Sequence, residues 1–163
     1  MRDAVTAYVA LGANLGDAAS TVWQAMQAID AMQDTRVNHR SSLYRTGPID
    51  SSGPDYINAV VEISTLLTAP DLMVQLGLLE QGAGRQRPYR NAPRTLDLDL
   101  LLYGSAQIDS PRLVLPHPRM YTRAFVLVPL AEIAPQHVSA QALQAVADQF
   151  CRRVTGISGA SCV

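Results

Sequence analysis

The amino-acid sequence predicts an α+β fold, a ferredoxin-like sandwich in which an antiparallel sheet carries helices packed on it. Three observations carry that reading. Strand-like runs and amphipathic helical stretches follow one another in the order βαββαβ, with additions at the C-terminal end. The second and third strands are consecutive, with only a Gly- and Pro-containing loop between them, as in a hairpin. At 163 residues, 48% of them hydrophobic and with a formal net charge of −1, the chain fits one domain with a substantial core.

The elements follow in order. Residues 6–11 read as a short buried strand that ends in a turn rich in Gly12, Asn14 and Gly16. Asp17 can cap the next helix, whose apolar stripe is Val22, Met26, Ile29 and Met32. Residues 37–45 form a second strand of weaker pattern. The stretch 46–55, with Gly47, Pro48, Gly53 and Pro54, is a loop, and 56–66 a partly alternating third strand. Pro70 and Asp71 open a second helix to about residue 81, with Leu72, Leu76 and Leu79 on its buried face. Residues 82–93 are an arginine-bearing loop, 96–103 a strand, 113–115 a short apolar run, and 125–133 and 140–150 helices. Residues 1–153 make a single domain, and 154–163 a frayed tail. No repeat, low-complexity block or linker interrupts them.

Composition narrows the function. The apolar runs at 98–103 and 125–130 are far too short to cross a bilayer. The N-terminus carries one Arg and then a strand pattern, not a signal peptide. Cys151 and Cys162 have no metal-ligand spacing, so a reducing cytoplasm is the default compartment. All 13 basic residues are arginine, and Arg85, Arg87, Arg90 and Arg94 fall close together. On a nearly neutral chain, such a cluster indicates a local anion site, not a nucleic-acid surface.

The sharpest local signal is Arg94-Thr95-Leu96-Asp97-Leu98-Asp99-Leu100-Leu101. On a strand, Asp97 and Asp99 share one face, about 7 Å apart at Cα, while Leu96, Leu98 and Leu100 take the other. Two carboxylates there can hold hard cations such as magnesium, which keeps waters and phosphate oxygens in its remaining positions. Two such ions, about 3.5–4 Å apart, can clamp the attacking and leaving oxygens of a displacement. A lone Asp-X-Asp is more often a solvated strand face. Four arginines just upstream change that balance, because planar guanidinium groups grip phosphate in two-point fashion. His117 sits between Pro116 and Pro118, which restrict its backbone. His39 and His137 read as structural hydrogen-bonding residues, Tyr56 and Phe125 on their own as core aromatics, and Gly12 and Gly16 as turn residues.

The stretches Leu11-Gly12-Ala13-Asn14-Leu15-Gly16-Asp17, Ser42-Leu43-Tyr44-Arg45-Thr46, Asp55-Tyr56-Ile57-Asn58-Ala59, Gly84-Arg85-Gln86-Arg87, Pro93-Arg94-Thr95-Leu96-Asp97-Leu98-Asp99 and Pro116-His117-Pro118-Arg119-Met120 with Arg123-Ala124-Phe125 together resemble the 6-hydroxymethyl-7,8-dihydropterin pyrophosphokinases of folate biosynthesis. The resemblance runs from the first strand to about Pro135. It implies ATP as co-substrate and two magnesium ions on Asp97 and Asp99. It implies a pterin ring stacked between Tyr56 and Phe125, with Asn58 and backbone groups near Thr46 and Ile49 bonding its edge. Arg85 and Arg94 would meet the phosphates and favour catalysis, and Glu80, Arg87, Leu100, Arg112, His117 and Arg123 would line the nucleotide site. The reaction implied is transfer of the β,γ-diphosphate of ATP to the pterin hydroxymethyl oxygen, with release of AMP, by a cytoplasmic monomer with no nucleic-acid or membrane partner. No residue is singled out as a general base. The chain departs from the family pattern at Gly77, where a Gln is usual, at Asp50, a frequent Gly, and at Asn91, often a Trp.

Three rival readings remain open. An RNA-binding sheet would need exposed aromatics interleaved with basic residues, and paired acids would repel its ligand. A nucleotidyltransferase using the same aspartates would release pyrophosphate instead of AMP. An inactive homologue would have little use for the full set of proposed metal and arginine positions.

Overall fold

Side chains along a β-strand point alternately to its two faces, and the central strands of this protein are apolar on both. The structure, a computed structural model, describes residues 3–14, 16–47, 55–84 and 96–154. In chain order its elements are β1 (Val5–Ala13), α1 (Ala18–Asp30), β2 (Thr35–Arg40), β3 (Tyr44–Thr46), β4 (Tyr56–Thr65), α2 (Ala69–Gly84), β5 (Asp97–Tyr103), β6 (Ile108–Asp109), β7 (Val114–Leu115), α3 (Ala124–Ile133), α4 (Ala140–Ala145) and β8 (Cys151–Arg153). The sheet runs β5-β1-β4-β3-β8, with β2 also on β4, and every pairing is antiparallel. The chain is therefore a mixed fold of helices and an antiparallel sheet.

One core lies between the sheet and α1 with α2. Ala7, Val9 and Leu11 of β1 and Leu98 and Leu100 of β5 meet Val22, Met26 and Ile29 of α1 and Leu72 and Leu76 of α2 there. Asp17 caps α1 as its sequence position predicts, its Oδ1 accepting the Ser20 N–H at 3.1 Å. Val22, Met26 and Ile29 are each 0% exposed, a burial that contributes roughly 1.5–3 kcal/mol per side chain. Met32, the last residue of the predicted stripe, is only partly buried. The second helix starts at Ala69, one residue ahead of the predicted start, where the Thr68 hydroxyl accepts the Asp71 N–H at 3.2 Å as an N-cap. The other sheet face forms a second core, in which Tyr8, Val60 and Leu101 pack against Val126, Leu127 and Leu130 of α3.

Four expectations need correction. The predicted strand at 37–45 is two strands on successive stretches of β4, parted at Ser41, whose N–H donates to the Val60 carbonyl while its Oγ accepts the Val60 N–H, each at 2.9 Å. Gly12 is a strand residue, not a turn residue, whereas Gly16 does sit in the turn, at a φ of 60° that favours glycine. The helix predicted over 140–150 ends at Ala145, and Cys151–Arg153 instead pairs with β3 as a sheet edge. Val154, assigned to the tail, donates its N–H to the Leu43 carbonyl at 2.8 Å. The rest of the predicted tail lies outside the described residues.

Candidate active site

The carboxylates of Asp97 and Asp99 owe their position to strand alternation. In β5, Leu98 and Leu100 are buried under α2, while Asp97 and Asp99 are exposed on the opposite face. Their partners across the β1–β5 pair are Gly12 and Ala10, the smallest side chains available. A depression therefore opens over β1 beside the two acids. Glu80 of α2 secures the strand, its Oε2 accepting the Leu98 N–H at 2.7 Å.

That depression is one end of a cavity of about 230 Å3, whose walls include Thr46, Tyr56, Asn58, Arg123 and Phe125 as well as both aspartates. Asn58 and Thr46 are almost fully buried, at 6% and 2% exposed, and the Asn58 Nδ2 donates to Thr46 Oγ1 at 2.6 Å. The bond holds the Asn58 amide edge-on in the wall. Tyr56 and Phe125 are half-buried here, Phe125 at the margin of the second core. The Arg123 guanidinium lies 5.3 Å from the Phe125 ring centre, within cation–π range.

A second space of about 370 Å3 adjoins on the other side of β5, lined among others by Gly77, Glu80, Leu100, Arg112 and His117. Asp99 lines both spaces. His117 is fixed by its N–H, which donates to the Leu101 carbonyl at 3.0 Å, and by its Nδ1, which accepts the Arg119 N–H at 3.2 Å. Burial lowers its pKa below the ordinary histidine value; Asp99 opposes that shift, while Arg123 and Arg119 add to it. With Nδ1 accepting the Arg119 N–H, Nε2 is the ring nitrogen left to donate. The arrangement puts a carboxylate pair where a polar-edged aromatic slot meets a recess bearing a cation and a hydrogen-bond donor.

The HPPK family model, 7,8-dihydro-6-hydroxymethylpterin-pyrophosphokinase, matches residues 8–135. The chain belongs to that family. It is 41% identical over 149 residues to the 2-amino-4-hydroxy-6-hydroxymethyldihydropteridine pyrophosphokinase of Haemophilus influenzae, covering 90% of this chain and 93% of the relative. It is likewise 41% identical over 149 residues to the pyrophosphokinase of the same name from Bacillus subtilis, covering 91% and 89%. A crystal structure of an HPPK-DHPS in complex with substrates is similar in fold, with a TM-score of 0.68 at 11% identity over 90% of this chain, which spans 43% of the length of that protein.

Against this HPPK framework, the expected residues fall into three groups. Thr46, Tyr56, Asn58, Asp97, Asp99 and Phe125 come together in the first cavity, and Glu80, Leu100, Arg112 and His117 in the second space. Arg123, expected with the nucleotide set, lines the first cavity and packs on Phe125. Ile49, Arg85, Arg87 and Arg94, with the departures Asp50 and Asn91, lie outside the described residues. His39 and His137 stand apart from both spaces: His39 Nε2 is 3.8 Å from Glu62, and His137 packs edge-on against Tyr8 at 5.1 Å. Sequence reasoning missed the Thr46 side chain as the partner of Asn58, and Gln149, which reaches the segment before α3. The Thr46 contact requires the β3–β4 register, and Gln149 has no local sequence pattern to mark it.

Proposed function

We propose that this HPPK-family chain transfers the β,γ-diphosphate of ATP to the hydroxymethyl oxygen of 6-hydroxymethyl-7,8-dihydropterin, releasing AMP, as a step in making tetrahydrofolate. The observation that carries the reading is the position of Asp99 on the boundary of both spaces, with Asp97 beside it. The slot between Tyr56 and Phe125 suits a flat heteroaromatic ring, which gains from stacking, and the Asn58 amide suits the donors and acceptors on that ring's edge. The recess with Arg112 and His117 suits a nucleotide. The same chemistry makes a nucleic-acid ligand a poor fit, because paired acids stand on the open sheet face.

The aspartates fit magnesium: they are two hard oxygen donors, exposed on one strand face, with Gly12 and Ala10 leaving space opposite them. Bound by Asp97 and Asp99, two magnesium ions would supply positive charge against the phosphates of ATP. The protein's own part is mainly positioning and electrostatics, as in phosphoryl transfer generally. Tyr56, Phe125 and Asn58 hold the pterin so that its hydroxymethyl group faces the acids. Glu80, Leu100, Arg112 and His117, with Arg87, hold the nucleotide, while Arg123 serves the boundary between the two ligands. The hydroxymethyl oxygen attacks the β-phosphorus in line, the bond from that phosphorus to the α,β-bridging oxygen breaks, AMP leaves and the hydroxyl proton is released. Arg85 and Arg94 neutralise charge on the transferred group, and the backbone near Ile49 joins Asn58 at the pterin edge.

Finer readings accompany this one. The sheet order β5-β1-β4-β3 and the chain order βαβββαβ, in which β2 and β3 together take the place of the one expected strand, support a ferredoxin-like sandwich within a single domain. A monomeric cytoplasmic enzyme suits small soluble substrates, and among the described residues no helix is long and apolar enough to cross a membrane. The direct test is to incubate the purified protein with ATP, magnesium and the hydroxymethyl-dihydropterin and identify the products. AMP and a pterin diphosphate are expected; pyrophosphate release, or no turnover, would overturn the reading.

A further inference from the structure

Arg123 and Phe125 enter the candidate site from the first turn of α3, whose N-cap, Arg123, is extended at φ −126° and ψ 115° and makes no side-chain cap. The first N–H groups of a helix have no partner within it, so something else must hold this entry. Gln149 does so from across the chain. Its Oε1 accepts the Ala124 N–H at 2.9 Å, and its Nε2 donates to the Thr122 carbonyl at 3.0 Å. Those two groups belong to the peptide units on either side of Arg123. One carboxamide therefore grips both flanks of one residue, as a neighbouring strand would.

The grip is anchored at its other end. The Gln149 N–H donates to the Val146 carbonyl at 3.0 Å, fixing the turn that carries it. Two residues later Cys151 begins β8 and pairs with Thr46, which itself lines the ring cavity and holds Asn58. The path from Thr46 through β8 and Gln149 to Arg123 and Phe125 thus joins residues that line one cavity. The two bonds hold the backbone on both sides of Arg123, whose guanidinium lies 5.3 Å from the Phe125 ring centre. The recess holding Arg112 and His117 shares no residue with the gripped segment.

We infer that Gln149, which stands outside the lining of the ring cavity, is a positioning residue for the pterin half of the reaction, setting the spacing of the Phe125 wall and the direction of Arg123. This rests on the reading of the cavity as the pterin site. Gln149→Leu removes both bonds at similar volume, and Gln149→Glu keeps the acceptor for Ala124 while losing the donor to Thr122. Titration of each variant with the pterin and, separately, with a non-hydrolysable ATP analogue, together with thermal melting, tests the inference. Gln149→Leu should weaken pterin binding by about tenfold, the scale of lost hydrogen bonds. ATP-analogue affinity, to which Arg123 contributes only at the boundary between the ligands, should change less than pterin affinity, and the melting temperature should stay within a few degrees, as for an exposed side chain. Gln149→Glu should recover part of the loss. Wild-type pterin affinity in Gln149→Leu, or equal losses for both ligands with a lowered melting temperature, would overturn the positioning role alone. A wild-type protein that binds no pterin would overturn the functional reading and the inference with it.

Discussion

Gly12 and Asn58 face each other across the β1–β4 pair so closely that a β-carbon at Gly12 would lie 2.7 Å from Asn58 Oδ1. The missing side chain is what lets the Asn58 amide stand in the cavity wall and bond Thr46. Gly12→Ala must push that amide aside, at an overpacking cost of about 1–3 kcal/mol. We expect pterin affinity to fall at least about tenfold, with the far-ultraviolet spectrum unchanged. Calorimetric titration with pterin alone reads the effect, and undiminished affinity would show that Asn58 does not bind the ring.

The aromatic walls make a separable prediction. Tyr56→Ala and Phe125→Ala should each weaken pterin binding by about 0.5–1.5 kcal/mol for the lost ring contact, and by more where apolar area is uncovered. Neither residue lines the Arg112–His117 recess, so ATP affinity should hold. Loss of ATP affinity with normal pterin affinity would contradict the placement.

How much of this was legible beforehand differs from element to element. Asp97 and Asp99 could be placed on one face because strand alternation is a local rule, and Leu98 and Leu100 between and beyond them marked the buried side. Asp17 and the Val22–Met26–Ile29 stripe declared α1 by the same kind of local pattern. β8 could not be seen, because Cys151, Arg152 and Arg153 have no strand pattern of their own and form a strand only by pairing with β3. The role of Gly12 was hidden for a related reason: a glycine followed by Asn14 and Gly16 looks like a turn until Asn58 is known to stand opposite. Arg123 was expected with the nucleotide residues, and only the entry of α3 into the first cavity shows it against Phe125.

Glu132 joins α3 to the β3–β8 edge and gives a pH signature. Its carboxylate accepts the Ser42 N–H at 2.9 Å, the Ser42 hydroxyl at 2.8 Å and the Tyr44 hydroxyl at 2.7 Å, with Arg153 at 3.4 Å. Burial alone would raise its pKa, but the bonds from Tyr44 and Ser42 and the charge of Arg153 hold it below the ordinary value of 4.5. A carboxyl depressed in the folded state contributes stability that is complete above its unfolded pKa and fades as pH falls through the folded value. Glu132→Gln should therefore lower stability by about 1–3 kcal/mol at neutral pH. The gap to wild type should narrow once the pH falls below the ordinary 4.5. Denaturant titrations across that range check it, and a gap independent of pH would contradict the assignment.

Gly77 lies within α2, where a β-carbon would meet nothing within 4 Å. A mid-helix glycine costs about 1 kcal/mol relative to alanine, largely through the entropy of the unfolded chain. Gly77→Ala should raise the melting temperature by about 2–4 °C. Calorimetry reads the shift, and an unchanged or lowered value would mean that the helix needs glycine there.

The central claim is that Asp97 and Asp99 form the metal-binding pair between the two ligands, and turnover of their alanine variants at saturating magnesium, ATP and pterin tests it most directly. Neither carboxylate is buried in a core, so Asp97→Ala and Asp99→Ala should fold normally, as melting curves would report. Each should lose at least about a hundredfold in turnover, the scale seen when a preorganised charge-stabilising group is removed. Near-wild-type rates in either variant would contradict the account.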